Sequence, residues 1–135
     1  MKTRHFVVIV LALTNSAYSQ NMPVAKTRLR AKLDVVARDY PKGWNFVLLA
    51  ENDWQARSES HSTFTAFSSF LDHVTVIRAS YAERASDLDL LRTLEHEAGH
   101  IRCQCYSESI ASRFAEKKVN LFENRKGLTP FPPSW

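Results

Sequence analysis

The chain has 135 residues, of which 44% are hydrophobic and 24% charged, with a formal net charge of +4 and two cysteines. This length suits one domain with a modest core and leaves no room for a second. Both charge signs are mixed along the chain, which argues against nucleic-acid binding, and two cysteines are too few to build a disulfide scaffold.

The first 19 residues have the pattern of a secretory signal peptide. The basic start consists of Lys2, Arg4 and His5, an apolar run covers 6–13, and Ala17–Ser19 is a small-x-small cleavage site. The apolar run is much shorter than the ~20 residues needed to span a bilayer. We therefore expect a secreted or periplasmic protein that begins near Gln20 and has no stable membrane anchor after cleavage.

The mature chain is predicted to begin with an amphipathic helix. From Val24 to Tyr40, apolar residues recur at helical spacing, and Pro41 and Gly43 end the pattern. Three short runs rich in strand-forming residues follow, at 44–50, 63–70 and 73–79. We interpret the polar segment 51–60 as a turn region and the step between the last two runs as a hairpin. This pattern predicts a small, mostly antiparallel sheet.

Two further helices are predicted after the sheet, which makes the fold class α+β. The first begins near Ser86 or Asp87, either of which can cap its first turn, and runs through Arg102. Its apolar stripe is formed by Leu91, Leu94, Ala98 and Ile101. The second covers about 108–122, with Ser107 as its N-cap.

The C-terminal segment 127–135 has the sequence GLTPFPPSW. Its three prolines exclude a helix or an inner strand. We therefore expect three parts in the chain, namely a signal peptide at 1–19, one domain at 20–126 and a proline-rich tail at 127–135.

His96, Glu97 and His100 match the pattern H-E-x-x-H within the predicted helix. Residues four apart lie on one face of a helix, so both imidazoles can reach one zinc ion. Glu97 lies one step round the helix, close enough to act as general base on a zinc-activated water. The pattern predicts His96 and His100 as metal ligands and Glu97 as the catalytic residue.

A catalytic zinc ion needs a third protein ligand. Glu95 points away from both histidines. Glu108 can reach the ion only if the chain turns back, because an unbroken helix would carry it about 12 Å along the axis from His100. We rank Glu108 first, and the alternatives are Glu116 and Glu123.

No glycine or proline lies between Ile101 and Ser107 to make that turn. Cys103 and Cys105 are two residues apart, a separation at which their Cα atoms can lie ~5.5–6.5 Å from each other, within the range for a disulfide. We therefore hypothesise that a disulfide formed in an oxidising compartment holds the bend. The alternatives are two free thiols or pairing between chains.

The arrangement resembles small zinc metallopeptidases of the gluzincin kind, including minimal gluzincins and ImmA/IrrE-type peptidases. The resemblance rests on HExxH preceded by Leu-x-x-Leu and followed by Glu-x-x-Ala, between Leu91 and Ala111. It implies a zincin-like fold with an active-site helix and a glutamate helix. Ser112 occupies the position after the alanine where these families often carry aspartate or asparagine.

The resemblance implies Zn2+ held by His96, His100 and Glu108, with Glu97 as general base. The predicted function is zinc-dependent hydrolysis of a peptide or protein substrate that lies extended along an edge strand. The alternatives are an exported zinc-binding or interaction protein without turnover and a factor that acts on cell-wall peptides. The donor to the oxyanion is left open among Tyr106, His73 and Arg113.

Overall fold

The computed structural model describes residues 9–11, 22–57 and 64–127. Its elements in chain order are β1 (Ile9–Leu11), α1 (Met22–Val36), a 3₁₀ turn (Ala37–Asp39), β2 (Asn45–Leu49), α2 (Glu51–Arg57), β3 (Ala66–Ser69), β4 (Val74–Arg78), α3 (Ala79–Arg84), α4 (Asp87–Cys103) and α5 (Glu108–Gly127). The rest of the predicted signal segment, and the predicted tail from residue 128 onward, lie outside the described residues.

The predicted N-terminal helix is present as α1. Its apolar residues at helical spacing are fully buried in the main core, namely Ala25, Leu29, Leu33 and Val36. The helical pattern then tightens into the 3₁₀ turn before Pro41, which cannot continue a helix. Tyr40 is buried at this point, and its hydroxyl donates to the Leu94 carbonyl of α4 at 2.5 Å.

The strands pair in the order β1-β2-β4-β3. β3 and β4 form the predicted antiparallel hairpin, whereas β2 runs parallel to both β1 and β4. The α+β class is therefore confirmed, but the expectation of a mostly antiparallel sheet is wrong. The cause is the segment after β2, which makes a crossover instead of a turn. The chain passes beyond the position that β4 later fills, and β4 then pairs parallel to β2.

That crossover contains α2, which the sequence pattern missed. Acidic residues in its first turn and a basic residue in its last suit the helix dipole. Trp54 is its one buried residue, and its ring lies 5.7 Å from that of Phe67. Glu51 forms an ion pair with Arg78 of β4, whose hydrogen bonds lower the pKa of Glu51 to about 2. One buried side chain in a short helix gives no apolar stripe to detect.

α5 runs back along α4 in close contact. Glu108 lies beside His96, and Glu116, further along α5, lies beside Arg92, which is earlier in α4. A Cβ built on Gly99 would lie 2.9 Å from the Ala111 Cα atom. Gly99 is therefore the residue that allows the two backbones to approach this closely.

β1 lies inside the predicted signal segment, at the end of the sheet beside β2. Signal cleavage after Ser19 remains a prediction, and it would leave the three-stranded sheet β2-β4-β3. Among the described residues, no helix is both long and apolar enough to cross a bilayer.

Substitution of Gly99 by alanine tests the contact between α4 and α5. Alanine normally favours a helix, but its Cβ would here meet backbone atoms that cannot move without separating the helices. We expect Gly99→Ala to lower the free energy of unfolding by about 1–2 kcal/mol in urea denaturation. Asn120→Ala, on an exposed part of α5, is the control and should cause no loss. Unchanged stability in Gly99→Ala would contradict the close approach.

Candidate metal centre

α4 has the cap and the buried stripe that the sequence predicts. The Ser86 hydroxyl accepts from the Asp89 backbone N–H at 3.1 Å, which begins the helix. The predicted apolar residues Leu91, Leu94, Ala98 and Ile101 are all buried. His96 and His100 point away from this stripe, and His100 is buried while His96 is half-buried. The helix therefore faces the core on one side and the candidate site on the other.

The side chains of His96, His100 and Glu108 converge where α5 begins. The Glu108 oxygens lie 2.8 Å from His96 Nε2 and 3.3 Å from His100 Nε2. The two Nε2 atoms are 3.1 Å apart, and one donor atom of each residue lies within 4.8 Å of the others. These three residues form a candidate metal-binding triad.

Neither alternative glutamate joins this triad. The Glu116 carboxylate accepts from Arg92 Nε at 2.7 Å. Glu123 lies about 22 Å further along the helix axis than Glu108 at the ordinary helical rise. Glu95 is buried on the core side of α4, where burial and then the neighbouring Asp39 raise its pKa to about 8. Of the glutamates weighed as ligands, Glu108 is the one beside both histidines.

Each triad histidine has a partner for its second ring nitrogen. His100 Nδ1 lies 3.0 Å from the Cys105 carbonyl oxygen. A carbonyl can only accept, so Nδ1 carries a hydrogen, and in the neutral imidazole Nε2 then has the lone pair that a metal ion would use. His96 Nδ1 lies 3.3 Å from the Ser112 hydroxyl. Such outer hydrogen bonds orient metal-binding imidazoles.

The bend between the helices contains the hypothesised disulfide. Cys103 and Cys105 are bonded, with Cα atoms 5.1 Å apart. Gln104, between them, is the C-cap of α4 and adopts a left-handed conformation with φ 50°. Ser107 then begins α5, since its hydroxyl accepts from the Ile110 N–H at 3.4 Å. The chain thus reverses within four residues and brings Glu108 to the histidines.

Glu97 is buried beside the triad and has a partner that sequence reasoning missed. The Ser68 hydroxyl of β3 donates to Glu97 Oε2 at 2.6 Å. Burial raises the pKa of Glu97, while this hydrogen bond and the neighbouring imidazoles act in the opposite direction. A hydroxyl on the neighbouring strand therefore fixes one carboxylate oxygen of the HExxH glutamate.

The Ser68 hydroxyl is itself the end of a chain of hydrogen bonds across the sheet. The Trp44 indole N–H donates to the Thr75 hydroxyl at 2.9 Å, and Thr75 lies 2.8 Å from Ser68. An indole N–H can only donate, and Ser68 uses its hydrogen on Glu97, so Thr75 donates to Ser68. On the inner face of β3 and β4, Ser68 and Thr75 alternate with the apolar residues Ala66 and Ile77, and this was the available signal in the sequence.

A cleft of about 690 Å³ borders the triad and Glu97. Among the described strands, β3 is at one end of the sheet, and residues 65–68 line one side of the cleft. α4 lines another side through its histidines. Phe64, Phe67 and Tyr106 contribute aromatic rings to the lining, and Arg57 and Arg92 contribute positive charge. The candidate centre is therefore open to a ligand that lies beside a strand edge.

The three residues considered as oxyanion donors have different positions. Tyr106 lines the cleft, and its ring lies 5.0 Å from Phe70. His73 stacks on Trp44 at 5.6 Å and lines a separate cavity. Arg113 is exposed and donates to the carbonyl of the preceding turn of α5 at 3.4 Å. Only Tyr106 of these three lies in the cleft of the triad.

Comparison of the chain with protein-family models, with curated proteins and with solved structures finds no match. The geometry of the triad, of Glu97 and of the cleft is therefore what indicates a function for this chain.

Removal of the Glu108 carboxylate charge tests whether the triad binds metal. With zinc as the probe, we expect Glu108→Gln to weaken binding by more than the ~10–100-fold caused by losing an outer hydrogen-bond partner. Competition against a chromophoric chelator measures the affinity. Glu116→Gln is the matched control on the same helix and should bind zinc as the unchanged chain does. Equal losses in both variants would show that general charge, and not the triad, holds the ion.

Proposed function

We propose that this chain is an exported zinc metallopeptidase. One observation carries the proposal: the three converging side chains of His96, His100 and Glu108 and the buried Glu97 carboxylate border the same cleft. A metal-binding triad alone would suit a structural or storage site. A buried carboxylate beside it, in a cleft that has the outer edge of β3 on one side, suits hydrolysis of an extended peptide.

Zinc is the ion that best fits the donor atoms. Two imidazole nitrogens and one carboxylate are a ligand set that catalytic zinc sites use, with a further position open to water or substrate. The half-buried His96 and the exposed Glu108 carboxylate leave the triad accessible from the cleft. When bound, zinc polarises a carbonyl oxygen and lowers the pKa of a coordinated water.

Glu97 serves as the general base in this proposal. Its Oε2 accepts the Ser68 hydrogen, so Oε1 is the atom that takes a proton from the attacking water. The same atom then delivers that proton to the amine nitrogen of the leaving peptide. Burial raises the pKa of Glu97, which favours the protonated state needed between these two steps.

The substrate lies along β3 and pairs with its outer edge. A strand at the end of a sheet has backbone groups that an added strand can satisfy, while alternate side chains of the added strand enter flanking pockets. Phe64 and Tyr106 lie in the cleft lining, so large apolar side chains are the class of substrate residue favoured beside the scissile bond. Tyr106 is also the proposed donor to the oxyanion, since its hydroxyl can donate in the cleft.

The proposed location is secreted or periplasmic. The support is the signal-peptide pattern at 1–19 and the Cys103–Cys105 disulfide, which persists most readily in an oxidising compartment. The proposed partner is the peptide or protein substrate, with no role for nucleic acid.

Glu97→Gln separates catalysis from metal binding. The amide is close to isosteric and still accepts a hydrogen bond from Ser68, but it cannot take a proton. We expect hydrolysis of a quenched peptide library to fall by at least about 100-fold, in line with the usual contribution of general-base catalysis. Zinc content, measured by elemental analysis, should stay unchanged. Cleavage that persists in the variant would contradict the role of Glu97, and zinc binding without cleavage in the unchanged chain would favour the non-enzymatic alternative.

Ser68→Ala tests the hydrogen bond that fixes the Glu97 carboxylate. A bond to a charged group contributes about 1.5–3 kcal/mol, which corresponds to roughly 10–100-fold in rate. We expect kcat to fall within that range while KM and zinc content change little, because Ser68 contacts the base and not the ion. Ser69→Ala, whose hydroxyl donates to Asp72 in the hairpin, is the adjacent control and should keep full activity. Restored kcat in Ser68→Thr would support the hydroxyl as the cause, and an unchanged kcat in Ser68→Ala would count against it.

A further inference from the structure

The Cys103–Cys105 disulfide encloses the residue at which the chain reverses. Its ring contains Gln104, the left-handed C-cap of α4. A residue with a Cβ is disfavoured in this conformation, and no glycine is present at the bend to avoid that cost. The Gln104 and Cys105 N–H groups donate to carbonyls of the last helical turn, at 3.2 Å each. The bend is thus held by two hydrogen bonds and one covalent bond against a backbone preference.

Two parts of the metal triad depend on this bend. The Cys105 carbonyl, which orients His100 through Nδ1 at 3.0 Å, belongs to a residue of the disulfide. Glu108 follows the disulfide by three residues, and its carboxylate position relative to both histidines is set by where the bend ends. Loss of the bridge would therefore loosen the orientation of one ligand and the placement of another.

We propose that the Cys103–Cys105 disulfide is a redox control of the metal centre, in which the oxidised chain binds zinc more tightly than the reduced chain. The inference rests on the zinc site of the proposed function but not on peptidase activity. Reduction breaks the Sγ–Sγ bond, and two electrons and two protons from a dithiol convert the cysteines to thiols while the dithiol becomes a disulfide. Both cysteines are half-buried, so a dithiol can reach the bond.

Thermodynamic linkage makes the coupling reciprocal. If oxidation strengthens zinc binding by a given factor, zinc must favour the disulfide over the dithiol by the same factor. Loss of an outer partner of a metal ligand typically weakens binding by ~10–100-fold. For this two-electron couple, the same factor lowers the reduction potential of the zinc-loaded chain by about 30–60 mV.

The test compares zinc affinity in three forms of the full chain. These are the oxidised chain, the chain reduced with dithiothreitol and then freed of it, and the variant Cys103→Ser/Cys105→Ser, which has no thiol that could bind zinc itself. We expect the oxidised chain to bind zinc ~10–100-fold more tightly than the double variant. The double variant should be insensitive to reductant. Affinities within twofold in the oxidised chain and the double variant, with equal helix content by circular dichroism, would overturn the proposal.

Gln104→Gly distinguishes control through the bend from a general loss of stability. Glycine adopts the left-handed conformation without the Cβ cost, so the reduced bend should hold its shape better in this variant. We expect the ratio of zinc affinity between the oxidised chain and the double cysteine variant to be several-fold smaller when both carry Gln104→Gly than when both keep Gln104. An equal or larger ratio would count against the bend as the route of coupling.

The outcomes separate this inference from the proposed function. Redox-dependent zinc affinity without peptide cleavage supports the inference and removes the peptidase proposal. Peptide cleavage and zinc affinity that are both indifferent to the disulfide overturn the inference and leave the peptidase proposal in place. Absence of zinc binding in every form overturns both.

Discussion

The contact of α5 with α4 is the constraint on which the candidate centre depends. Glu108 reaches the two imidazoles only because the chain reverses directly after α4. Helix α5 then packs against α4 with the two backbones in close contact. Gly99 makes this possible, since a Cβ there would meet the Ala111 Cα atom at 2.9 Å. The glycine inside the HExxH pattern thus has a packing role that is separate from the chemistry of its neighbours. A wider spacing between the helices would move the carboxylate away from the imidazole nitrogens.

The sheet supplies the other half of the centre. Thr75 and Ser68 are polar residues on its inner face. Their hydroxyls connect the Trp44 indole N–H to the Glu97 carboxylate through successive hydrogen bonds. Each of these three hydrogen bonds is donated in the direction of Glu97. Together they stabilise the negative charge of the Glu97 carboxylate, which burial disfavours. The buried Tyr40 hydroxyl donates to the Leu94 carbonyl at the same helix. Helix α4 is therefore attached to the core by polar contacts as well as by its apolar stripe.

The local sequence pattern was enough to predict the helices that carry the motif. It did not predict contacts between segments that are distant in the sequence. Helical spacing and capping chemistry predicted α1, α4 and α5, and H-E-x-x-H identified the two histidines. The choice of Glu108 over its alternatives needed the reversal of the chain, which the cysteine spacing only suggested. The strand order was not predicted because the crossover helix α2 was not recognised. Its single buried residue, Trp54, stands among polar residues and gives no helical pattern. Ser68 escaped because a hydrogen bond between distant segments has no periodic signature.

The two histidines of the triad differ in how firmly their surroundings fix the orientation and tautomer of the ring. His100 is buried, and a carbonyl that can only accept fixes its tautomer with the Nε2 lone pair toward the site. The Nδ1 partner of the half-buried His96 is the Ser112 hydroxyl, which can donate or accept, so this contact leaves the tautomer of His96 open. Glu108 is more exposed than either. A metal ion would thus find His100 already oriented on the inner side, while His96 and Glu108 on the cleft side can still adjust. This arrangement favours entry of the ion from the cleft.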